Sequence, residues 1–371
     1  MASASNFSRI AAGILLALWQ FTAGAADWPM LEGGADHARH SADLVPALAP
    51  GKQWEAKAGG KVYADPVISG GKVYVAGHDH YLRALEAKNG HVLWSFKVGE
   101  EISATPVVAQ GLIVVAAKDG IITALATSNG EQRWKVKTGD KILSSPIVRD
   151  GKLYFGSNDF FFYALDLHTG KEIWRYKIQD YKYGGLYASP AADAEKVYVG
   201  SKNGMFYAIS RNTGKPIWQV ELGSSLYGAT ALVNGRIYQG CYDRYVYALD
   251  ANSGKILWRT ELDEWPQGTP ALLGDMLYVA SRSGVLYGLS TADGHIAWRL
   301  PLGAELRHSP SVGRNNIGVV ALLDGRLIGI DLTQQKIVWE QQLGAGVFSG
   351  PAISNGSVLV ATQDGRVSAW K

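Results

Sequence analysis

Eight residues recur in this sequence at near-constant steps of 40, 40, 44, 40, 40, 40 and 41: Tyr63, Ser103, Leu143, Tyr187, Tyr227, Gln267, Arg307 and Phe348. Four are aromatic and one is an arginine, a composition that a freely solvated loop would not select. If one fold element sets the step, the eight side chains converge. A guanidinium among aromatic faces can hold an anionic or planar group through charge and stacking. Two outcomes remain open: a binding surface, or rings that merely fill the centre of the fold. Tyr181, Lys182, Tyr183 and Trp265 fall beside the same register, and exposed Tyr, Trp and Arg dominate protein contact sites. The expected site is therefore Tyr63, Tyr187, Tyr227, Gln267, Arg307, Phe348, Tyr181, Tyr183 and Trp265, taking a protein or peptide partner, with no catalytic residues assigned. His78 and His80 form an H-x-H pair on a turn, and His37 and His40 lie near the N-terminus. Neither pair has a third ligand at metal spacing, so both read as non-metal residues, His37 and His40 as plain surface ones.

The element behind the step is a repeat. Tryptophans stand at Trp54, Trp94, Trp134, Trp174, Trp218, Trp258, Trp298 and Trp339, and twelve residues after most of them comes a proline: Pro66, Pro106, Pro146, Pro270, Pro310 and Pro351. Thr230 takes that place once, and Pro190 follows Trp174 by sixteen because four residues are inserted around 181–185. A period near 40 marks a unit that buries its apolar face only against copies of itself. Within the third copy the alternation predicts strands at 146–148, 152–156, 162–166 and 172–177, separated by Asp150–Gly151, Asn158–Asp159 and Thr169–Gly170. Four short antiparallel strands make a propeller blade. Gly90, Gly130, Gly170, Gly214, Gly254 and Gly294 supply positive φ at the last hairpin, and Gln334–Gln335 departs from this, predicting a looser turn. The final copy ends at Trp370–Lys371 without a fourth strand, while 52–57 is a tryptophan strand with nothing before it. One completes the other, so the fold class is all-β: an eight-bladed propeller of four-stranded antiparallel blades, closed by the N-terminal strand in the last blade.

Composition agrees with a large packed ring. The chain has 371 residues, 47% of them hydrophobic, with 44 Gly and 13 Pro. Lys and Arg number 36 against 33 Asp and Glu, leaving no basic field of the size that holds a nucleic-acid backbone. The single cysteine, Cys241, excludes an intramolecular disulfide and a cysteine-based metal cluster; it occupies a strand end where sister copies have serine. Arg9, the apolar run Ile10 to Phe21 and Ala23–Gly24–Ala25 read as a cleaved signal peptide. The expected division is 1–25 signal peptide, 26–50 irregular lead-in and 51–371 propeller, in a periplasmic or secreted monomer without a membrane span.

The stretch Ala-Leu-Asp-x-x-Thr-Gly-Lys-x-x-Trp at 164–174, with its copies from Gly51 onward, resembles the pyrroloquinoline-quinone-like (quinoprotein) propeller superfamily. That resemblance implies a tryptophan docked between neighbouring blades. It leaves two functions open, because the superfamily includes alcohol and sugar dehydrogenases and cofactor-free binding proteins. The dehydrogenases commonly carry a vicinal Cys-Cys over the quinone and a Ca²⁺ site of Glu, Asn and Asp. One cysteine cannot supply the former, and no position matches the latter by motif. The chain is also similar to the propeller subunit of the outer-membrane β-barrel assembly machine, a scaffold without cofactor, although the lipid-accepting cysteine of that lipoprotein is missing. The resemblance implies an exported binding or assembly scaffold of the cell envelope without cofactor; the alternative is a dehydrogenase-like oxidoreductase using pyrroloquinoline quinone with Ca²⁺.

Overall fold

The computed structural model describes residues 27–34, 37–179 and 185–371. Each copy of the repeat forms one antiparallel sheet, and eight such blades close into a ring. In blade 1 the strands are Val67–Ser69, Lys72–Ala76, Tyr81–Glu86 and Val92–Lys97, running outward from the central tunnel. Blade 3 has Ile147–Arg149, Lys152–Gly156, Phe161–Asp166 and Glu172–Lys177. Blade 8 has Ala352–Ser354, Ser357–Ala361 and Arg366–Trp370, and its outermost strand is Lys52–Lys57 from the other end of the chain. Reciprocal backbone bonds between Gly51 and Lys371 seal this joint.

The tryptophans join blades. The indole N–H of Trp54, Trp94, Trp134, Trp174, Trp218 and Trp258 donates to a backbone carbonyl of the next blade, on Ala87, Thr127, Leu167, Arg211, Ala251 and Thr291 in turn. Trp339 of blade 7 donates instead to Pro46, because the hairpin that would offer a carbonyl in blade 8 does not exist there. The first six indoles also lie on the turn glycine of the next blade: a Cβ on Gly90 would stand 2.5 Å from Trp54. These glycines are thus required twice, for φ near +70° and for the ring above them. The Gln334–Gln335 hairpin is not looser. Gln335 takes φ +58°, and the pairing gains a rung, Asp331 with Lys336, at the mouth of the turn.

Inside the tunnel the residue before the proline mark ties neighbouring blades together from blade 8 round to blade 4. The Asp65 N–H donates to Thr105 Oγ1, Thr105 N–H to Ser145 Oγ and Ser145 N–H to Ser189 Oγ. Gly350 N–H donates to the Asp65 carboxylate at 2.6 Å, so blade 8 is bonded to blade 1 in the same belt.

The lead-in does more than enter the ring. It holds one 3-10 turn, Leu31–Gly33, and a two-residue strand, His40–Ser41, that pairs parallel with the inner strand of blade 7. Trp28 bridges Ile68 of blade 1 and Pro29 accepts from Val108 of blade 2; beyond 35–36, Ala38 accepts from Leu272 of blade 6 and Arg39 from Val312 of blade 7. Blades 1 and 2 lie across the ring from blades 5 and 6, so the segment crosses the tunnel at the level of the inner strands. His37 is a correction to the surface reading: it is fully buried, like Arg39, while His40 is exposed.

Candidate functional site

The loop entering each inner strand and the turn between strands two and three lie on one face, bonded to each other through the backbone, as in His78 N–H to Lys61 and Arg282 N–H to Trp265. Pairing fixes which side chains reach the tunnel mouth. Tyr63, Ser103, Leu143, Tyr187, Tyr227, Gln267, Arg307 and Phe348 are all half-buried, each between two buried neighbours in all but Tyr227's case. Tyr63 stacks on Phe348 at 4.7 Å and on His78 at 4.3 Å. His78 Nε2 is 2.8 Å from Ser103 Oγ. Arg307 lies over Phe348 and donates to Gln267 Oε1 at 3.1 Å. On the opposite arc Trp265 stacks on Tyr242 at 4.6 Å, Tyr242 on Tyr227 at 4.4 Å, and Tyr227 meets Tyr187 at 5.4 Å. Arg282 covers Trp265, and Lys202 stands 5.0 Å from the Tyr187 ring. The eight-residue register is therefore part of an annulus of interlocked rings and cations. Tyr181 and Tyr183 lie outside the described residues.

Arg282, Lys202, Tyr242 and His78 share one place in the repeat, twelve residues after the proline mark, with Lys118 and Asn158. Glu101, Lys61, Lys141 and Glu305 share another, five before it. His78 stands out in the sequence on its H-x-H turn; Arg282, Lys202 and Glu305 do not, although the register that holds them is visible there. Glu305 Oε1 bridges Arg282 Nε and Arg307 Nη2, 2.7 Å from each. Glu101 bonds Lys118 at 2.6 Å and lies 3.5 Å from His78, and its carboxyl is held below the usual range, first by the Lys118 hydrogen bond. Burial lowers the His78 imidazole, with Lys118 adding to the effect. His78 and His80 do not act together: His80 Nδ1 turns to the Gly99 carbonyl at 3.3 Å.

Below the mouth, Arg39 of the crossing segment is fully buried against blades 7, 8 and 1. Its Nε donates to the Pro310 carbonyl at 3.2 Å and Nη2 to Ser311 Oγ at 2.8 Å, with Asp65 3.9 Å from Nη1. Gly350 leaves the room; any Cβ there would run into the guanidinium. Burial lowers Arg39 to about 10, against the pull of Asp65, and raises Asp65 above the ordinary carboxylate range. His37 and His308 are both pushed down to about 3, chiefly by burial, with the positive charge of Arg39 adding to the effect on His308.

The sequence model of the outer membrane protein assembly factor BamB matches residues 41–210, 162–243, 202–305 and 293–371, which together cover everything from Ser41 to the last residue. The chain belongs to the BamB family. Among solved structures, BamB from Moraxella catarrhalis is 18% identical, with a TM-score of 0.77 over 87% of this chain and 99% of that one. Quinohemoprotein alcohol dehydrogenase from Comamonas testosteroni superposes with a TM-score of 0.82 at 16% identity, over 93% of this chain and 80% of that one. A europium-containing methanol dehydrogenase gives 0.74 at 15% identity, over 93% and 89%. At these identities the structural likenesses establish the fold alone. No curated protein sequence matches the chain. Among the described residues no helix is long and apolar enough to cross a membrane.

A quinone with Ca²⁺ would need a stacking slot on the axis and a set of hard oxygen donors beside it. The residues present do not fit. Beneath the mouth the tunnel holds the fully buried Arg39, bonded to blade 7 and set against Gly350 of blade 8, and among the described residues no three His, Cys, Asp or Glu side chains gather at one point. Cys241 is buried at a strand end with its thiol pushed up to about 12, bonded to the Ser224 carbonyl.

Proposed function

We propose that this chain is an exported scaffold of the cell envelope that holds a protein partner at its tunnel mouth and performs no catalysis. The observation that carries this reading is the annulus itself: rings from Tyr63 to Trp265, with Arg282, Arg307 and Lys202 across their faces, on a rigid ring whose floor is closed. Aromatic and arginine side chains in a half-buried, pre-ordered surface are the composition of a protein contact. Membership of a family described as an assembly factor supports the same reading.

A photo-crosslinking side chain placed at Tyr227 in living cells should trap one reproducible envelope protein, and the same label at the outward Lys255 should not. Equal or greater capture at Lys255 would overturn the assignment of the mouth. Mass spectrometry should find the mature chain starting at Ala26 or Asp27 without acyl mass; an intact Met1 in the envelope fraction would remove the export step. Mixing the purified protein with pyrroloquinoline quinone and Ca²⁺ should give neither a bound chromophore nor dye-linked alcohol oxidation.

A further inference from the structure

The crossing segment changes what the mouth can accept. A chain threaded through the tunnel would meet Arg39 and the backbone of residues 37–41, which are bonded to blades 6 and 7. The mouth is therefore a blind cup, and only a loop tip or chain end can enter it.

Its chemistry is one-sided. The three registers that line the cup contribute Lys61, Lys118, Lys141, Lys202, Arg282 and Arg307 against Glu101 and Glu305. Glu101 is spent on Lys118, and the single Glu305 is shared by two arginines. The aspartates just outside the cup fold back on their own strands: Asp79 pairs with Arg83, Asp364 with Arg366, and Asp159 and Asp243 accept from Tyr163 and Tyr247. They do not reach in to neutralise the lining. Two buried groups at the arginine side lack partners, Trp265 Nε1 and Arg307 Nε, and both are N–H donors. Unmet donors and surplus cations call for an acceptor that is negatively charged, which a carboxylate is.

From this we propose that the mouth receives an acidic loop tip of a partner protein, its Asp or Glu side chains set against Arg282, Arg307 and Lys202 while its backbone packs on Tyr187, Tyr227, Tyr242 and Trp265. The proposal rests on the scaffold reading above and names the chemistry of the partner.

The probe is a cyclic octapeptide rich in Asp and Glu, titrated into the purified mature protein by calorimetry. Its controls are the same ring with Asn and Gln, a deoxythymidine oligonucleotide and inorganic phosphate. The acidic ring should bind about tenfold or more tightly than the amide ring, with affinity falling as salt rises because the contact is ionic and partly exposed. Lys202→Ala and Arg282→Ala should each weaken binding by about tenfold, the scale of one lost charged hydrogen bond, while Lys255→Ala on the outer rim leaves it unchanged. Thermal unfolding of each variant shows that the ring is intact. Equal affinity for the amide ring, or no effect of the Lys202 and Arg282 variants, overturns the proposal. So does oligonucleotide or phosphate binding as strong as that of the acidic ring, since the cup would then be a general anion site. Should the acidic ring fail while Tyr227 still crosslinks an envelope protein, the scaffold reading stands and the acidic tip falls; failure of both removes the two together.

Discussion

The two levels of the tunnel are built on opposite principles. At the mouth every cation is stacked, shared or half-exposed, so its charge stays hydrated and available. At the floor Arg39, Asp65, His37 and His308 are buried, and their charge states are bent to suit. A surface made for exchange keeps its charges near solvent; a closure gives that up for fixed geometry. Substitutions should therefore separate the levels, with the floor answering in stability and the mouth in binding.

The largest separation is expected at Arg39. Arg39→Ala strips two hydrogen bonds from Pro310 and Ser311 and leaves Asp65 buried without its cation. Breaking one side of a buried pair costs about 3–5 kcal/mol, so the midpoint of thermal unfolding should drop by many degrees. Arg39→Met with Asp65→Asn removes both charges and should recover much of the loss. If Arg39→Ala unfolds like the parent, the segment does not lock the ring.

Acidification offers the next test, and its sign follows from the two imidazoles. His37 and His308 titrate near 3 when folded and near the ordinary 6.5 when unfolded, so between those values the unfolded chain binds more protons. Stability from this source is complete above pH 6.5 and is lost as pH falls, by about 1.4 kcal/mol per pH unit for each histidine. Asp65, shifted upward, works in the opposite sense. Denaturant melts from pH 7 to 4 should show a steep decline that His37→Gln with His308→Gln flattens. An equal slope in that double variant would place the acid sensitivity elsewhere.

At the mouth the response should move from folding to binding. Arg307→Ala removes contacts to Gln267, Glu305 and Phe348, all half-buried, and should cost no more than about 1 kcal/mol of stability. Partner binding should weaken by about 1–3 kcal/mol. Titration of the crosslinked partner against this variant checks it; wild-type affinity would make the ring a filler of the tunnel.

The same contrast explains what the sequence revealed. Mouth residues inherit their position from a repeat, so Tyr63, Tyr227 and Arg307 could be placed together before any coordinate was known. Arg282 and Lys202 were equally placeable, had the register after the proline been read as closely as the one before it. The floor has no such ruler. Arg39 meets residues about 270 positions away through a segment with no copy elsewhere, and nothing in the local pattern around His37 separates a buried imidazole from an exposed one. Trp339 shows the limit of the repeat itself: its spacing is regular, but its acceptor is Pro46, supplied by the non-repeating segment.

The smallest predicted effect concerns the turns that rim the cup. At one position blades 2, 4, 6, 7 and 8 use Gly120, Gly204, Gly284, Gly325 and Gly365 with φ between 78° and 89°, whereas blades 1, 3 and 5 put His80, Phe160 and Arg244 there at 69° to 76°. The carbonyl at this site accepts the N–H that follows the outermost strand, as Arg244 does from Leu262, so the backbone is held in place whatever the side chain. A non-glycine residue in this left-handed region costs about 1 kcal/mol. Glycine would relieve that strain but lose unfolded-state order, and Arg244 also gives up an exposed bond to Glu261 at 2.6 Å. These terms nearly cancel, so Arg244→Gly should change stability by less than about 1 kcal/mol in either direction. Chemical denaturation can resolve a change of that size. A loss of several kcal/mol would show that the bulky tips brace the mouth, and the division between a rigid floor and an exchangeable rim would have to be redrawn.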